Sequence, residues 1–248
     1  MVIELASGVD AETVDGEILP WIPKLGLCTL DLIVAPYVSG SGHEDHQLET
    51  VGSGDWYKPE NDEIRFEPAT SALTSFWFNI PQMNVDHDLT HVLDVSPKPV
   101  SLRLVDRKNF VLRRTRERWV SEDGNFLICL RGGGLGVGEC HRFRIAHNVD
   151  VIVAEGVLAG WLLERPELFL TNSWRPSSAQ VEDRELASIL RDYFHLVTDR
   201  NVELMENEDV SVREKLESLK LRVDTSVGAK DRRSVIVEAV DDLIDAFY

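Results

Sequence analysis

Residues 173–178, SWRPSS, divide the sequence into two parts that differ in the spacing of their apolar residues. Before this stretch, apolar residues alternate with polar ones or form short runs such as VDVIVAE at 149–155, which is typical of strands. After it, apolar residues recur at the spacing of one helical face: Leu186, Ile189, Leu190, Tyr193 and Val197. Strands followed by helices predict an α+β protein.

The predicted boundary gives a β-rich domain at 1–172 and a helical C-terminal segment at 173–248. We expect the first to form an antiparallel sheet, a sandwich or a barrel-like sheet, and the second to contain about three helices. Two arrangements stay open, because the helices either stand apart or pack on the sheet as one domain.

Strand-like runs occur throughout the first part. We predict strands within 27–38, 63–67, 71–80 and 140–148, a buried strand at 149–155, and a short helix or second strand at 157–163. The stretch between the first two runs, 39–62, is rich in Ser, Gly and charged residues and predicts a loop. Within 100–131, Asp123 and Gly124 separate two strand-like runs, which predicts a β-hairpin.

Helix starts are predicted by capping residues in the second part. Ser178 is the candidate N-cap of the first helix, and Ser211 with Glu214 matches a capping box for the next. A last amphipathic helix is predicted from one apolar face: Ile236, Val240, Leu243 and Phe247.

Composition limits the classes of function. The chain has 248 residues, 43% of them hydrophobic, and a formal net charge of −17, which disfavours a general DNA or anionic-membrane binder. No apolar run reaches the ~18 residues that a membrane span needs. Three cysteines without CxxC spacing predict no disulfide framework. We therefore expect a soluble, cytoplasmic protein that does not act at a membrane.

The charge is unevenly distributed along the chain. Residues 1–97 carry 3 basic and 17 acidic side chains, whereas residues 98–147 carry 11 and 5. If 109–120 forms one strand, Arg114, Arg116 and Arg118 share one face and Arg113 lies on the other. In the strand after the glycine-rich run, Arg142 and Arg144 share a face.

Like charges repeated along a strand face need an anionic neighbour, solvent or a ligand. Three sources of that neighbour stay open: acidic residues of the same molecule or of a second copy, a partner protein, or the phosphates of a nucleic acid. The net negative charge makes nucleic acid the less favoured partner. The six arginines, Arg113, Arg114, Arg116, Arg118, Arg142 and Arg144, are the candidate binding residues.

His87 and His91 lie four residues apart in NVDHDLTHVLDV, 84–95. On a helix this spacing suits a shared metal ion, but on a strand it separates the two Cα atoms by roughly 13 Å. Apolar and histidine side chains alternate with polar ones here, which favours a strand over a helix. A metal site built on this pair alone is therefore not expected.

A second histidine pair, His43 and His46, stands in the acidic stretch GHEDHQLE. If both pairs converged with Asp86 or Asp88, they would offer a site for a divalent metal and support a metal-dependent hydrolase. The alternative for this stretch is a solvated polar loop.

Signatures of catalysis are weak. The run RGGGLGVGE at 131–139 precedes a strand-like segment and lacks GK[ST], so we predict a connection between strands and not a phosphate cradle. There is no GxSxG. Whether the chain is an enzyme stays uncertain, and we lean towards a non-catalytic protein without a cofactor.

These observations favour a macromolecular binding or assembly protein that uses the basic hairpin at about 100–131 and an acidic remaining surface. The expected partner is another protein or a second copy of the chain. Two alternatives stay open: the metal-dependent hydrolase, and an acidic mimic that occupies a nucleic-acid-binding protein through the negatively charged segment 1–97.

Overall fold

The computed structural model describes residues 1–54, 61–132, 135, 139–177, 181–225, 228 and 230–248. The described strands are, in chain order, β1 Val2–Ala6, β2 Val9–Val14, β3 Lys24–Gly26, β4 Asp31–Val34, β5 Val51–Ser53, β6 Asn61–Phe66, β7 Leu73–Asn79, β8 Met83–Asn84, β9 Lys98–Pro99, β10 Ser101–Leu104, β11 Leu112–Arg113, β12 Glu117–Val120, β13 Phe126–Leu130, β14 Cys140–Ala146, β15 Val149–Ala154 and β16 Val157–Glu164. The described helices are α1 Gly40–Glu49, α2 Thr90–Leu93, α3 Arg184–Leu196, α4 Asp199–Glu206, α5 Val210–Thr225 and α6 Lys230–Phe247. The predicted α+β class is confirmed, with one more C-terminal helix than expected.

The strands form two mixed sheets in which most pairs are antiparallel. The large sheet has the order β10-β2-β1-β16-β13-β12-β8, and β15, β14 and β9 extend it from β16. The small sheet has the order β11-β6-β7-β4-β3, with β5 beside β6. The N-terminal strand β1 pairs in parallel with β16, where Glu4 lies opposite Val157.

The predicted hairpin is confirmed. β12 and β13 pair antiparallel, with Trp119 opposite Ile128, and the turn between them contains Asp123 and Gly124. Gly124 has φ +74°, a conformation that glycine adopts without steric cost. The open choice at 157–163 is also resolved, because β16 is a strand.

The loop prediction for 39–62 is wrong over residues 40–49, which form α1, and also over Val51–Ser53, which form β5, and at Asn61, where β6 begins. Ser39 caps this helix: its hydroxyl accepts a hydrogen bond from the Gly42 N–H at 3.1 Å. The sequence of α1 shows no apolar face, and the helix instead contacts polar side chains of the small sheet, such as Ser75. Periodicity of apolar residues could not indicate such a helix.

The predicted strand over 109–120 is divided between the two sheets. β11 pairs with β6 of the small sheet, and β12 pairs with β13 and β8 of the large sheet. The buried side chains along this crossing are three residues apart, at Leu112, Thr115 and Arg118, and not two apart as in a strand. The crossing therefore turns Arg113, Arg114 and Arg116 towards solvent.

The strand prediction for 84–95 is also wrong. After β8 the chain forms an irregular stretch and then α2, with the Asp88 carboxylate accepting the Thr90 N–H at 3.0 Å. Leu89 and Val92 are fully buried on the outer face of the large sheet, against residues such as Ile128. Residues three apart share one side of a helical turn, which explains why the alternating pattern was misleading.

The C-terminal helices bury the apolar faces that the sequence predicts, and those faces belong to the same core as the inner faces of the sheets. The cap residues differ from the prediction. Asp183 caps α3 by accepting the Leu186 N–H at 3.0 Å, whereas the predicted cap Ser178 lies outside the described residues. For α5, Asp209 accepts the Val212 N–H, so Ser211 does not lead a capping box.

Glu167 lies in the 3₁₀ turn Pro166–Leu168 that follows β16, and it is 1% exposed. Its Oε2 atom has no hydrogen-bond partner among the described residues. Burial raises the pKa of this carboxyl to about 7, so folding favours its protonated form.

A Glu167→Gln variant is expected to remove part of the pH dependence of stability. The folded-state pKa is above the ordinary 4.5, so the wild type loses stability as pH rises from about 4.5 through about 7, by about 3 kcal/mol from this group. Urea unfolding at pH 5 and pH 8 would measure this effect. The variant should have a higher free energy of unfolding than the wild type at pH 8 and a similar one at pH 5. If the free energies of unfolding of the variant and the wild type differed by the same amount at both pH values, the raised pKa of Glu167 would be contradicted.

Candidate functional site

Three exposed arginines stand on the crossing between the two sheets. Arg113 lies in β11 opposite Asn61, and Arg114 and Arg116 flank the buried Thr115. Thr115 is fixed to the small sheet: its N–H donates to the Asp62 carboxylate at 3.3 Å, and its hydroxyl donates to the Asn79 carbonyl at 2.8 Å. The buried side chains thus determine which arginines point outwards.

Two depressions meet at these arginines. The first has a volume of about 720 Å³ and is also lined by Arg131 and by residues of β1. The second, of about 490 Å³, lies on the side of Asn61 and Asp199. Arg113, Arg114 and Arg116 line both, so their guanidinium groups stand on the rim that the depressions share. We call the two depressions with Arg113, Arg114, Arg116 and Arg131 the arginine cleft.

The exposed arginines of this cleft are not neutralised by the described part of the chain. Glu4 lines the first depression and Asp199 the second, yet no described carboxylate forms an ion pair within 4.0 Å with Arg113, Arg114 or Arg116. This is unusual in a chain of net charge −17, in which acidic side chains outnumber basic ones. An uncompensated group of guanidinium ions is suited to bind carboxylate or phosphate.

Arg131 holds the wall of the first depression. Its Nη1 donates to the Leu5 carbonyl at 2.6 Å, which joins the start of the glycine-rich run to β1. Burial lowers the pKa of this guanidinium from its ordinary value, and the charge of Asp62 opposes that effect. The sequence pattern does not indicate Arg131 as a cleft residue, because it precedes a glycine-rich run and lies outside the alternating arginines of 113–118. Most of that run, residues 133, 134 and 136–138, lies outside the described residues.

Arg118 is not part of the cleft, which corrects its predicted place beside Arg114 and Arg116. It is fully buried, and its guanidinium donates to the carbonyls of Phe194 and Val197 at the C-terminal end of α3 and to the Asn84 side chain at 2.8 Å. The negative end of the helix dipole stabilises a cation there. Burial lowers the pKa of Arg118 to about 10. Its role is to attach α3 to the large sheet.

Arg142 and Arg144 share one face of β14, as predicted, but they contact an acid of the same molecule. Arg142 Nη2 lies 2.6 Å from Asp150 Oδ2, and Arg144 Nε lies 2.6 Å from Asp150 Oδ1. Arg144 also pairs with Glu164 at 3.0 Å, and Arg142 donates to the Val95 carbonyl after α2. The negative neighbour of these two arginines is therefore internal.

The histidine pairs lie in different places. His43 and His46 belong to α1 on the outer side of the small sheet, where His43 Nε2 lies 3.0 Å from Glu63 Oε2 and His46 Nε2 lies 2.8 Å from Ser75 Oγ. Burial lowers the pKa of His46. By contrast, His87 and His91 are exposed residues of the segment 84–95, which covers the large sheet.

Asp86 and Asp88 are likewise exposed, and the Asp88 carboxylate already accepts a hydrogen bond from the Thr90 N–H at 3.0 Å. Within the described ranges, no three His, Cys, Asp or Glu side chains are placed to hold one metal ion. The convergence of His43, His46, His87 and His91 with these acids, on which the alternative of a metal-dependent hydrolase depends, is not found among the described residues.

No protein-family model, curated protein or solved structure matches this chain. None of the helices formed by the described residues has an apolar stretch long enough to cross a bilayer.

Proposed function

We propose that this protein is a non-catalytic macromolecular binding protein whose arginine cleft binds an acidic segment of a partner protein. The observation that carries the proposal is the group of exposed guanidinium ions at Arg113, Arg114 and Arg116, which have no ion-pair partner within the described residues. Their position on the shared rim of two depressions gives an extended segment a surface to follow on both sides.

Several guanidinium groups acting together are needed for useful affinity. An isolated exposed ion pair contributes only about 0.2–1 kcal/mol, because both ions are well solvated when apart. Inside a depression the local dielectric constant is lower, and a planar guanidinium can bind one carboxylate through two hydrogen bonds. The cleft combines these effects at neighbouring positions.

The lining of the first depression favours a peptide over a nucleic acid. Val111 is 56% exposed and Val157 is 42% exposed there, beside the partly buried Phe110. These apolar surfaces suit the apolar side chains of a peptide and offer nothing to a phosphate backbone. A nucleic acid also carries its charge along its whole length, and it would be repelled by the acidic remainder of the molecule.

The triple variant Arg113→Ser, Arg114→Ser, Arg116→Ser is expected to lose binding of an acidic peptide. The probe is a fluorescein-labelled peptide in which glutamate alternates with leucine, titrated by fluorescence anisotropy at low and moderate salt. We expect at least a tenfold weaker affinity, which is about 1.4 kcal/mol. The wild-type affinity should fall as salt is added, because exposed charges are screened.

A matched control replaces three exposed arginines outside the cleft: Arg103, Arg184 and Arg200. This variant loses the same charge and should bind the peptide like the wild type. Equal losses in both triple variants would show that net charge alone matters, and would overturn the proposal. Tighter binding of a single-stranded oligonucleotide than of the peptide would also overturn it in favour of a nucleic-acid partner.

A further inference from the structure

A second cleft lies at the other edge of the small sheet, away from the arginines. It has a volume of about 270 Å³ and is enclosed by β3, β4 and β7, by the loop at 171–174 and by α6. We call it the tryptophan cleft and define it by Lys24, Asp31, Trp77, Trp174 and Glu238, which all line it.

Two tryptophans form a corner of this cleft. The rings of Trp77 and Trp174 have their centroids 5.7 Å apart and are perpendicular, at 87°. Both pack on the small apolar cluster of Ile33, Ala35 and Tyr37, which fixes their orientation. The face of an indole ring carries partial negative charge and attracts cations.

Two carboxylates line the cleft together with the tryptophan pair. Asp31 is 5% exposed and accepts a hydrogen bond from Trp77 Nε1 at 2.9 Å. Gly26 leaves room for it: a Cβ atom at that position would lie 2.7 Å from Asp31 Oδ1. Glu238, from α6, is exposed at the opposite side and accepts a hydrogen bond from the Asn172 amide.

The carboxylates of the cleft outnumber its cation. Lys24 is 3% exposed, and its ammonium donates to the carbonyls of Tyr37 at 3.0 Å and Trp174 at 3.2 Å. Burial raises the pKa of Asp31 to about 6 and lowers that of Lys24 to about 8, so both groups are mainly charged at pH 7. With Glu238, the lining has a net negative charge. No arginine is among the described residues that line it.

We propose that the tryptophan cleft binds a small organic ammonium ion, with its methyl or methylene groups against Trp77 and Trp174 and its charge towards Asp31 and Glu238. Aromatic faces and carboxylates complement the two properties of such an ion, since its surface is apolar and its charge is diffuse. An anion would meet like charge there. This proposal is independent of the one for the arginine cleft.

The probes are choline and its uncharged isostere 3,3-dimethyl-1-butanol, titrated by isothermal calorimetry into the whole chain at pH 7.5. Because the two have the same shape, the ratio of their affinities measures recognition of charge. We expect choline to bind at least tenfold more tightly, which is about 1.4 kcal/mol. The variants Glu238→Gln and Trp174→Leu should each weaken choline binding by roughly the same factor.

A loss of choline binding can be assigned to the cleft because one variant should keep its fold and another serves as a control. Glu238 is exposed, and glutamine retains an oxygen for Asn172, so Glu238→Gln should fold normally. Trp21→Leu is the control, since Trp21 is 38% exposed and does not line the cleft, and it should bind choline like the wild type. Equal affinity for both probes, or no heat with choline at about 10 mM, would overturn the proposal.

Discussion

Replacing Asp150 with alanine is expected to lower the free energy of unfolding by about 3–5 kcal/mol. Asp150 is fully buried and holds two cations, Arg142 and Arg144. Arg144 could turn towards Glu164, but Arg142 is 5% exposed and would keep only backbone carbonyls as partners. An uncompensated buried charge costs far more than the pair contributes.

Urea unfolding followed by circular dichroism would measure this loss. Asp15→Ala is the control, because it breaks a Lys98 ion pair of similar length, 2.8 Å, that is exposed to solvent, and its midpoint should not change. The double variant Asp150→Leu, Arg142→Met should recover most of the loss by replacing the pair with apolar side chains. If the double variant were as unstable as Asp150→Ala, a packing defect and not the unpaired charge would be the cause.

Replacing Gly124 with alanine is expected to destabilise the protein by about 2–4 kcal/mol. Two costs add together. The φ angle of +74° is unfavourable for an L side chain, and the new Cβ would lie 2.3 Å from the Ala187 carbonyl oxygen of α3. Since that oxygen belongs to a helix backbone, the hairpin would have to move away from α3.

Gly8→Ala separates the two costs. Gly8 has φ +67°, but a Cβ there would meet no atom within 4 Å, so only the backbone strain of about 1 kcal/mol applies. Thermal unfolding of both variants would give the comparison. If Gly124→Ala lost no more stability than Gly8→Ala, the close contact between the hairpin and α3 would be contradicted.

The fold was predictable for segments whose spacing of apolar residues matches the face that they bury. Strands such as β6 and β7, the β12–β13 hairpin and the buried face of α3 follow the periodicities of their own sequences. The failures have a shared cause, which is contact with residues distant in the sequence. α1 lies on polar side chains, and 84–95 covers the large sheet through Leu89 and Val92, so neither shows the pattern of its own conformation.

The candidate site was only partly predictable for the same reason. The sequence indicated a basic segment, and Arg113, Arg114 and Arg116 do line the cleft. It could not indicate that the segment passes from one sheet to the other, and this crossing is what buries Arg118 and exposes its neighbours. Nor could it show that Asp150 neutralises Arg142 and Arg144.

The parallel pairing of β1 with β16 has a consequence for synthesis of the chain. When β1 and β2 leave the ribosome, they can pair with each other, but the other edge of β1 awaits a strand that is translated about 150 residues later. At about 5–20 residues per second, this interval lasts of the order of ten seconds. During it, the nascent β1–β2 hairpin presents an open edge to other chains, and the charged Glu4 on that edge discourages premature association.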